Sequence, residues 1–208
     1  QARNDRDGKM TASTDASGAD GTTHDHAGAW PGQPDMWAFV VFEAFLFTAY
    51  FCVYVFCRAQ SIDLYLQSQG RLDLRVGTRN TLVLLASSWS VAGCVQAARD
   101  GSRRGALARS CLTIFFGSVF LVSKVLEWRT KIGEGLTFTT NEFFSFYYFL
   151  TGLHFLHLLI GFVFLGVVVR ELRSCGRRRR ELIETGATYW HTIDFIWVFI
   201  FALLYVMR

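Results

Sequence analysis

Two histidines lie in the middle of a long apolar stretch that runs from Asn141 to Arg170. Thr151, His154 and His157 recur there at intervals of three, and Gly161 continues the same face of a helix. Imidazoles at such positions either bind a metal or haem iron, or hydrogen-bond to neighbouring helices. Because a polar group in hydrocarbon is costly, we expect both rings to face other protein rather than lipid.

Three carboxylates, on Glu43, Glu127 and Asp194, also lie in or beside apolar segments. Glu43 is the one charge of its segment, and two roles stay open for it: a neutral acid bonded to a neighbouring helix, or a proton- or lipid-linked group. Glu127 follows Lys124 by three residues, so the two share a helical face. We expect a structural ion pair there, at the membrane boundary, with the Lys124 ammonium extended towards the polar surface.

His191 and Asp194 form a second polar pair, at i and i+3 of the last apolar segment. With His154 and His157 they are candidate ligands for a haem or a di-metal centre. The spacing fits poorly, because His154 and His157 belong to one helix whereas two haem ligands face each other across a gap. We therefore favour packing and hydrogen bonding over metal binding. In that arrangement the last helix supplies partners, His191 and Asp194, for the polar seam on the histidine-bearing helix.

The composition indicates an integral membrane protein. The 208 residues are 51% hydrophobic and 16% aromatic, which is too apolar for a soluble domain. The net charge of +4 does not indicate nucleic-acid binding, because the arginines sit between apolar segments and at their ends. Five cysteines form no C-x-x-C pair, so neither a disulfide framework nor a zinc site is expected. The sequence contains no internal repeat of the kind that would indicate a transporter.

Hydropathy and length predict an all-α, polytopic five-helix bundle. Residues 1–33 are rich in Gly, Ala, Ser, Thr and Asp, and we expect a disordered tail that is not an export signal. Residues 34–208 form the membrane domain, whose spans are predicted at about 37–57, 80–98, 106–128, 143–169 and 189–206.

The segments around these spans carry further local signals. Residues 59–79 are polar and contain a possible short interfacial helix. Residues 171–187 form a strongly basic loop, and Trp190 after it is expected at the membrane interface. Small side chains recur every four residues along the second span and predict close approach of another helix; they are Ala86, Ser90, Cys94 and Ala98.

The distribution of Lys and Arg predicts the orientation in the membrane. The N-terminal tail and the second and fourth interspan loops carry thirteen, and the opposite side carries seven, with Lys124 inside a span. Because basic residues accumulate on the cytoplasmic side, the N-terminus is predicted in the cytoplasm and the C-terminus outside.

Four strings, in this order and with loops of this length, resemble subunit III of the haem-copper respiratory oxidases: MWAFVVFEAFLF, NTLVLLASS, FYYFLTGLHFLHLLIG and TYWHTIDFIWVFIFALLY. The resemblance covers essentially Pro34 to Arg208, and five spans match the short bacterial form. Within that form, PGQPDMW, QSQGRLDLRVGTRNT and KVLEW are most similar to the accessory protein of bacterial nitric oxide reductases.

The resemblance implies a non-catalytic subunit without haem or metal. Such a subunit binds phospholipid in a cleft between helix groups, packs against catalytic subunit I and sustains its proton uptake in the bacterial plasma membrane. On matching positions, Glu43 resembles the carboxylate beside the lipid cleft. The family's intramembrane polar and aromatic signature is matched by His154, His157, Trp190, His191 and Asp194.

Two departures put the partner complex in question. Trp128 stands where the family commonly has Tyr, and Lys124 where many members are uncharged. The preferred hypothesis is therefore a terminal-oxidase subunit, the alternative is a nitric oxide reductase accessory protein, and a stand-alone His-ligated redox protein comes third.

Overall fold

The computed structural model describes residues 34–173 and 179–207, and the predicted tail, residues 1–33, lies outside them. Within the described ranges the elements are helical, and five helices are long and apolar enough to cross a membrane. The all-α five-helix prediction is therefore confirmed. The elements are α1 (Pro34–Gln60), α2 (Ile62–Gln69), α3 (Leu74–Arg99), α4 (Arg103–Gly133), α5 (Glu142–Arg173), α6 (Arg179–Phe201) and a π-helical turn (Ala202–Val206).

The helices extend beyond the predicted spans because polar caps, rather than hydropathy, determine where they begin. The Asp73 carboxylate accepts the Arg75 backbone N–H at 2.8 Å, so α3 starts at the polar edge of its apolar run. Ser102 caps α4 in the same way. The basic loop predicted at 171–187 was too long, since α5 continues to Arg173 and α6 already begins at Arg179.

The small-residue stripe of α3 lies against α4, as predicted, and α3 packs more extensively on α4 than on any other described helix. The Ser90 hydroxyl donates to the Arg109 carbonyl at 3.0 Å, and Cys94 Sγ lies 3.1 Å from Ser110 Oγ. Such bonds form only where two helix backbones approach closely.

α6 lies between α3 and α5, and Trp190 is at its centre. This indole is fully buried and donates to Ser87 Oγ at 2.9 Å. Gly117 and Gly161 provide the space, because a Cβ at either position would lie 3.1 or 3.0 Å from the indole ring. The Trp190 ring thus faces other helices, with a buried acceptor and two glycines that accommodate it, and its position at the membrane interface stays a prediction.

α1 packs on the outside of α5 and α6, and its end is joined to α2 and the π-helical turn. The predicted interfacial helix is α2, whose Tyr65 ring is buried edge-to-face against Tyr54. Burial raises the pKa of the Tyr65 hydroxyl. The Leu203 carbonyl, in the π-helical turn, accepts from Tyr54 Oη at 3.1 Å and from Gln69 Nε2 at 2.9 Å. These bonds fix the π-helical turn against α1 and α2.

Candidate functional site

A buried ion pair joins α4, α5 and the π-helical turn. Lys124 Nζ lies 3.2 Å from Glu127 Oε2, and the two side chains are 1% and 6% exposed. The same ammonium donates to Tyr205 Oη at 2.8 Å and to Tyr147 Oη at 3.3 Å. The rings of Tyr147, Tyr205 and Trp197 surround it, with the ammonium 5.2 Å from the Trp197 ring centroid.

The hydrogen bonds of this pair form a closed set. An ammonium has three N–H groups, and each one has an acceptor here. Both phenols donate in turn to Glu127 Oε1, Tyr147 at 2.8 Å and Tyr205 through a short bond. The predicted ion pair is thus present, but Lys124 does not extend to the membrane surface. Tyr147 and Tyr205 hold it inside the bundle, because they supply the acceptors that water supplies to a surface lysine.

Thr151 lies one turn beyond Tyr147 on α5. Its hydroxyl donates to the Tyr147 carbonyl at 2.6 Å and accepts the Trp128 indole N–H at 3.3 Å. Trp128, the residue that departs from the usual Tyr, therefore adds a third bond between α4 and α5, beside the two that Tyr147 makes with Lys124 and Glu127.

A second ionisable pair joins α1 to α5. Glu43 Oε2 lies 3.0 Å from His157 Nε2, and the side chains are 11% and 12% exposed. The Phe47 ring covers His157 edge-to-face at 5.6 Å, and the Tyr189 hydroxyl donates to the His157 carbonyl at 3.2 Å. This pair is one of the polar contacts between α1 and the bundle, together with the Tyr54 bond to the Leu203 carbonyl.

His157 also bonds along its own helix. Nδ1 lies 2.8 Å from the Leu153 carbonyl, which can only accept, so Nδ1 is the donor and Nε2 is the atom that faces Glu43. Nε2 and Oε2 are close enough for an ion pair, but Oε2 has no hydrogen-bond partner among the described residues.

His154 is buried without a hydrogen bond to the described residues. Its ring lies between Phe120 and Trp197, with centroids 5.7 and 5.0 Å away. The prediction of a hydrogen bond from His154 to the last helix is therefore wrong. His154 does contact α6, but through the Trp197 ring.

His191 and Asp194 face α3, not α5. His191 Nδ1 lies 2.6 Å from Ser88 Oγ, and its ring is exposed on the outer surface of the bundle. Asp194 is 4% exposed beside the same Ser88, and neither carboxylate oxygen has a hydrogen-bond partner among the described residues. The prediction that the pair bonds to the α5 seam is wrong, because α6 presents Trp190 and Ile193 to α5 and turns His191 and Asp194 to α3.

The predicted site residues thus divide among several places. Thr151 belongs with the Lys124 cluster, His157 with Glu43, and the α6 pair with Ser88, while His154 packs between rings. In the part of the chain described, no three His, Cys, Asp or Glu side chains come together as metal ligands would.

The residues that sequence analysis missed are mostly hydrogen-bond partners. Tyr147 lies four residues before Thr151 on the same face, and Tyr205 continues an aromatic stripe on the last helix, so both carried a periodic signal. Ser87 and Gln69 carried none, because their partners are distant in sequence.

Comparison with known proteins identifies the family. The family model described as cytochrome c oxidase subunit III matches residues 23–208. Cytochrome c oxidase subunit 3 of Thermostichus vulcanus is 32% identical, covering 81% of this chain and 84% of the relative. Quinol oxidase subunit 3 of Bacillus subtilis (strain 168) is 26% identical, and the match covers 82% of this chain and 84% of that relative. A probable cytochrome c oxidase subunit 3 of Nocardia farcinica is 29% identical, and the match covers 80% of this chain and 83% of that relative.

The match extends over all five membrane-spanning helices and the polar sites built on them. A relative at 32% identity over four-fifths of both chains shares the same fold. The chain therefore belongs to the cytochrome c oxidase subunit III family, the multi-pass membrane subunits of haem-copper oxidases in respiratory electron transport.

Proposed function

We propose that this chain is a non-catalytic subunit that stabilises catalytic subunit I of a haem-copper oxidase and sustains its proton uptake. It acts through helix packing and bound phospholipid. One observation carries the proposal: the Lys124–Glu127 pair is satisfied within this chain, and both it and the Glu43–His157 contact lie where the helices meet. Groups used in this way hold a bundle together.

The outer surface of the bundle supports a role in assembly. Large apolar side chains project outwards from α1 and α3, with Phe45 75% and Trp89 70% exposed. A surface of this kind fits acyl chains and the helices of a larger membrane complex. His191, exposed on the same outer surface, supplies a polar group to whichever helix covers it.

The Glu43–His157 pair is the place where we propose a link to lipid and proton uptake. It joins α1 to α5, and its Glu43 and His157 side chains are only 11% and 12% exposed. Loss of the pair would weaken the contact of α1 with α5 and leave one polar group without its partner in the membrane.

The relatives include a cytochrome c oxidase subunit and a quinol oxidase subunit, so the proposal does not depend on the electron donor. The strings PGQPDMW and KVLEW favour a second candidate, an accessory protein of a bacterial nitric oxide reductase. The identity of the catalytic chain that co-purifies with a tagged copy separates the two.

We further propose that the chain lies in the bacterial plasma membrane with its N-terminus in the cytoplasm. The excess of Lys and Arg on one side supports this orientation. Fusions of alkaline phosphatase and green fluorescent protein to the loop at residues 134–141 and to the C-terminus test it. Both positions should give active phosphatase and no fluorescence.

Deletion of the chain tests the stabilising role. Membranes from the deletion strain should contain active oxidase whose turnover decays faster during sustained catalysis than that of the wild type. Re-expression should restore the lifetime, and the variant Glu43→Leu should restore it less well than Glu43→Gln. An oxidase that lasts equally long without the chain contradicts the proposal.

A further inference from the structure

A groove of about 860 Å³ runs between α3 and α4 on the surface of the bundle. Its deep part is lined by apolar side chains, including Val83, Phe115 and Val119. Its other end lies where α3 begins and α4 ends, and polar side chains line it there. The groove shares no lining residue with the Glu43–His157 pair, which lies on α1 and α5.

Asn80 shows that the groove is built to hold a polar group. Its side chain is only 3% exposed and lines the groove. The amide nitrogen Nδ2 has no hydrogen-bond partner among the described residues. Because a buried donor without an acceptor is costly, a ligand that brings an acceptor is strongly favoured at this position.

The charges at the polar end balance one another. Two acids, Asp73 and Glu134, and two bases, Arg79 and Lys131, line this end, while the third acid of the lining, Glu127, is already paired with Lys124. Lys131 and Glu134 pair at 2.8 Å, whereas Arg79 reaches only the Arg75 carbonyl, at 3.4 Å, among the described groups. The site therefore offers a guanidinium with unused donors beside carboxylates, which suits a ligand that carries one negative and one positive charge.

The length of the groove matches one lipid. From Lys131 to Phe115, sixteen residues of α4 cover about 24 Å at 1.5 Å per residue. Half of a hydrocarbon core is about 15 Å thick, which leaves about 9 Å for a headgroup. The apolar walls of the groove therefore match the length of an acyl chain, and its charged end matches the length of a zwitterionic headgroup.

We propose that this groove binds one phospholipid whose headgroup carries a primary ammonium, as phosphatidylethanolamine does. Arg79 binds the phosphate, Asp73 and Glu134 bind the ammonium, and the Asn80 amide donates to an ester carbonyl. The acyl chain lies along the apolar walls. This proposal names a site and a lipid class for the phospholipid binding in the proposed function, and it rests on that proposed function.

The charge balance favours this lipid over two others. An anionic headgroup such as phosphatidylglycerol would bring no positive charge to Asp73, which has no basic partner among the described residues, and would add a negative charge beside it. A choline headgroup offers no N–H to these carboxylates, so it would lose the hydrogen bonds that a primary ammonium makes.

Lipid retention tests the site directly. The assembled oxidase complex is purified in mild detergent, exchanged into bilayers of equal phosphatidylethanolamine, phosphatidylcholine and phosphatidylglycerol, and bound lipid is measured by native mass spectrometry. The variants are Arg79→Gln, Asn80→Leu and Val119→Trp, the last of which fills the groove. Arg71→Gln is the matched control, because it removes an exposed arginine near the same end of the bundle but outside the groove.

We expect wild type and Arg71→Gln to retain one phosphatidylethanolamine that Val119→Trp loses. Arg79→Gln and Asn80→Leu should each lower its retention about tenfold, as for a loss of ~1.4 kcal/mol. Three results overturn the proposal: equal retention by all variants, equal retention of the choline or glycerol lipid, or a cysteine at position 119 that cross-links to a partner chain instead of lipid. Turnover is measured in parallel. Loss of the lipid with an unchanged oxidase lifetime supports the site while contradicting the stabilising role proposed above.

Discussion

Replacement of Lys124 by Met is the change that most sharply probes the packing of the bundle. It keeps the length of the side chain and removes three hydrogen bonds, at 3.2, 3.3 and 2.8 Å, together with the charge opposite Glu127. Breaking one side of a buried pair costs about 3–5 kcal/mol. Glu127 keeps its two bonds from the phenols, so we expect the lower end, about 3 kcal/mol.

The double variant Lys124→Met/Glu127→Gln isolates the charge. The amide oxygen introduced at position 127 can still accept from Tyr147 and Tyr205, and no charge is left buried. We expect this variant to lose only about 1 kcal/mol, much less than the two single variants together, which corresponds to a coupling of at least ~2 kcal/mol.

Unfolding by denaturant in bicelles, followed by circular dichroism, measures these differences. Lys131→Met serves as the control, because Lys131 pairs with Glu134, an exposed residue just after α4, and such pairs contribute less than about 1 kcal/mol. If Lys124→Met unfolds with the wild-type free energy, or if the double variant loses the sum of the singles, the closed hydrogen-bond set does not stabilise the bundle.

Two further contacts give predictions that the same unfolding assay measures. Glu43→Gln should cost less than about 1 kcal/mol, because its amide still places a polar group against His157, whereas Glu43→Leu should cost about 1–3 kcal/mol; equal losses would mean that the polar contact is unimportant. Gly161→Ala should cost about 1–3 kcal/mol, because its Cβ would lie 3.0 Å from the Trp190 ring. Gly166→Ala, with open space around the added Cβ, should be neutral or slightly stabilising, and the reverse order would contradict the packing of α6.

Hydropathy and residue size were sufficient to predict the five spans and the close packing of α3 on α4. Ser90 and Cys94 contact α4 because a stripe of small side chains lets two backbones approach, and that stripe is visible in the sequence. The ends of the helices were less predictable, since α3 begins at a cap formed by Asp73 in a segment that is polar throughout.

The partners of the polar side chains could not be predicted, because they depend on how each helix is rotated. His154 and His157 are three residues apart, yet one packs between Phe120 and Trp197 and the other pairs with Glu43 on α1. For the same reason, replacement of His154 by Ala should destabilise the bundle through a lost ring contact rather than a lost hydrogen bond.

Purification of a tagged chain from its native membranes tests the central claim most directly. The account predicts that a haem-copper catalytic subunit co-purifies in equal amount, with haem and copper in proportion to it. After dissociation, the visible spectrum should follow the catalytic subunit and not this chain. A chain that emerges alone, or one that keeps a Soret band after separation, would contradict the account.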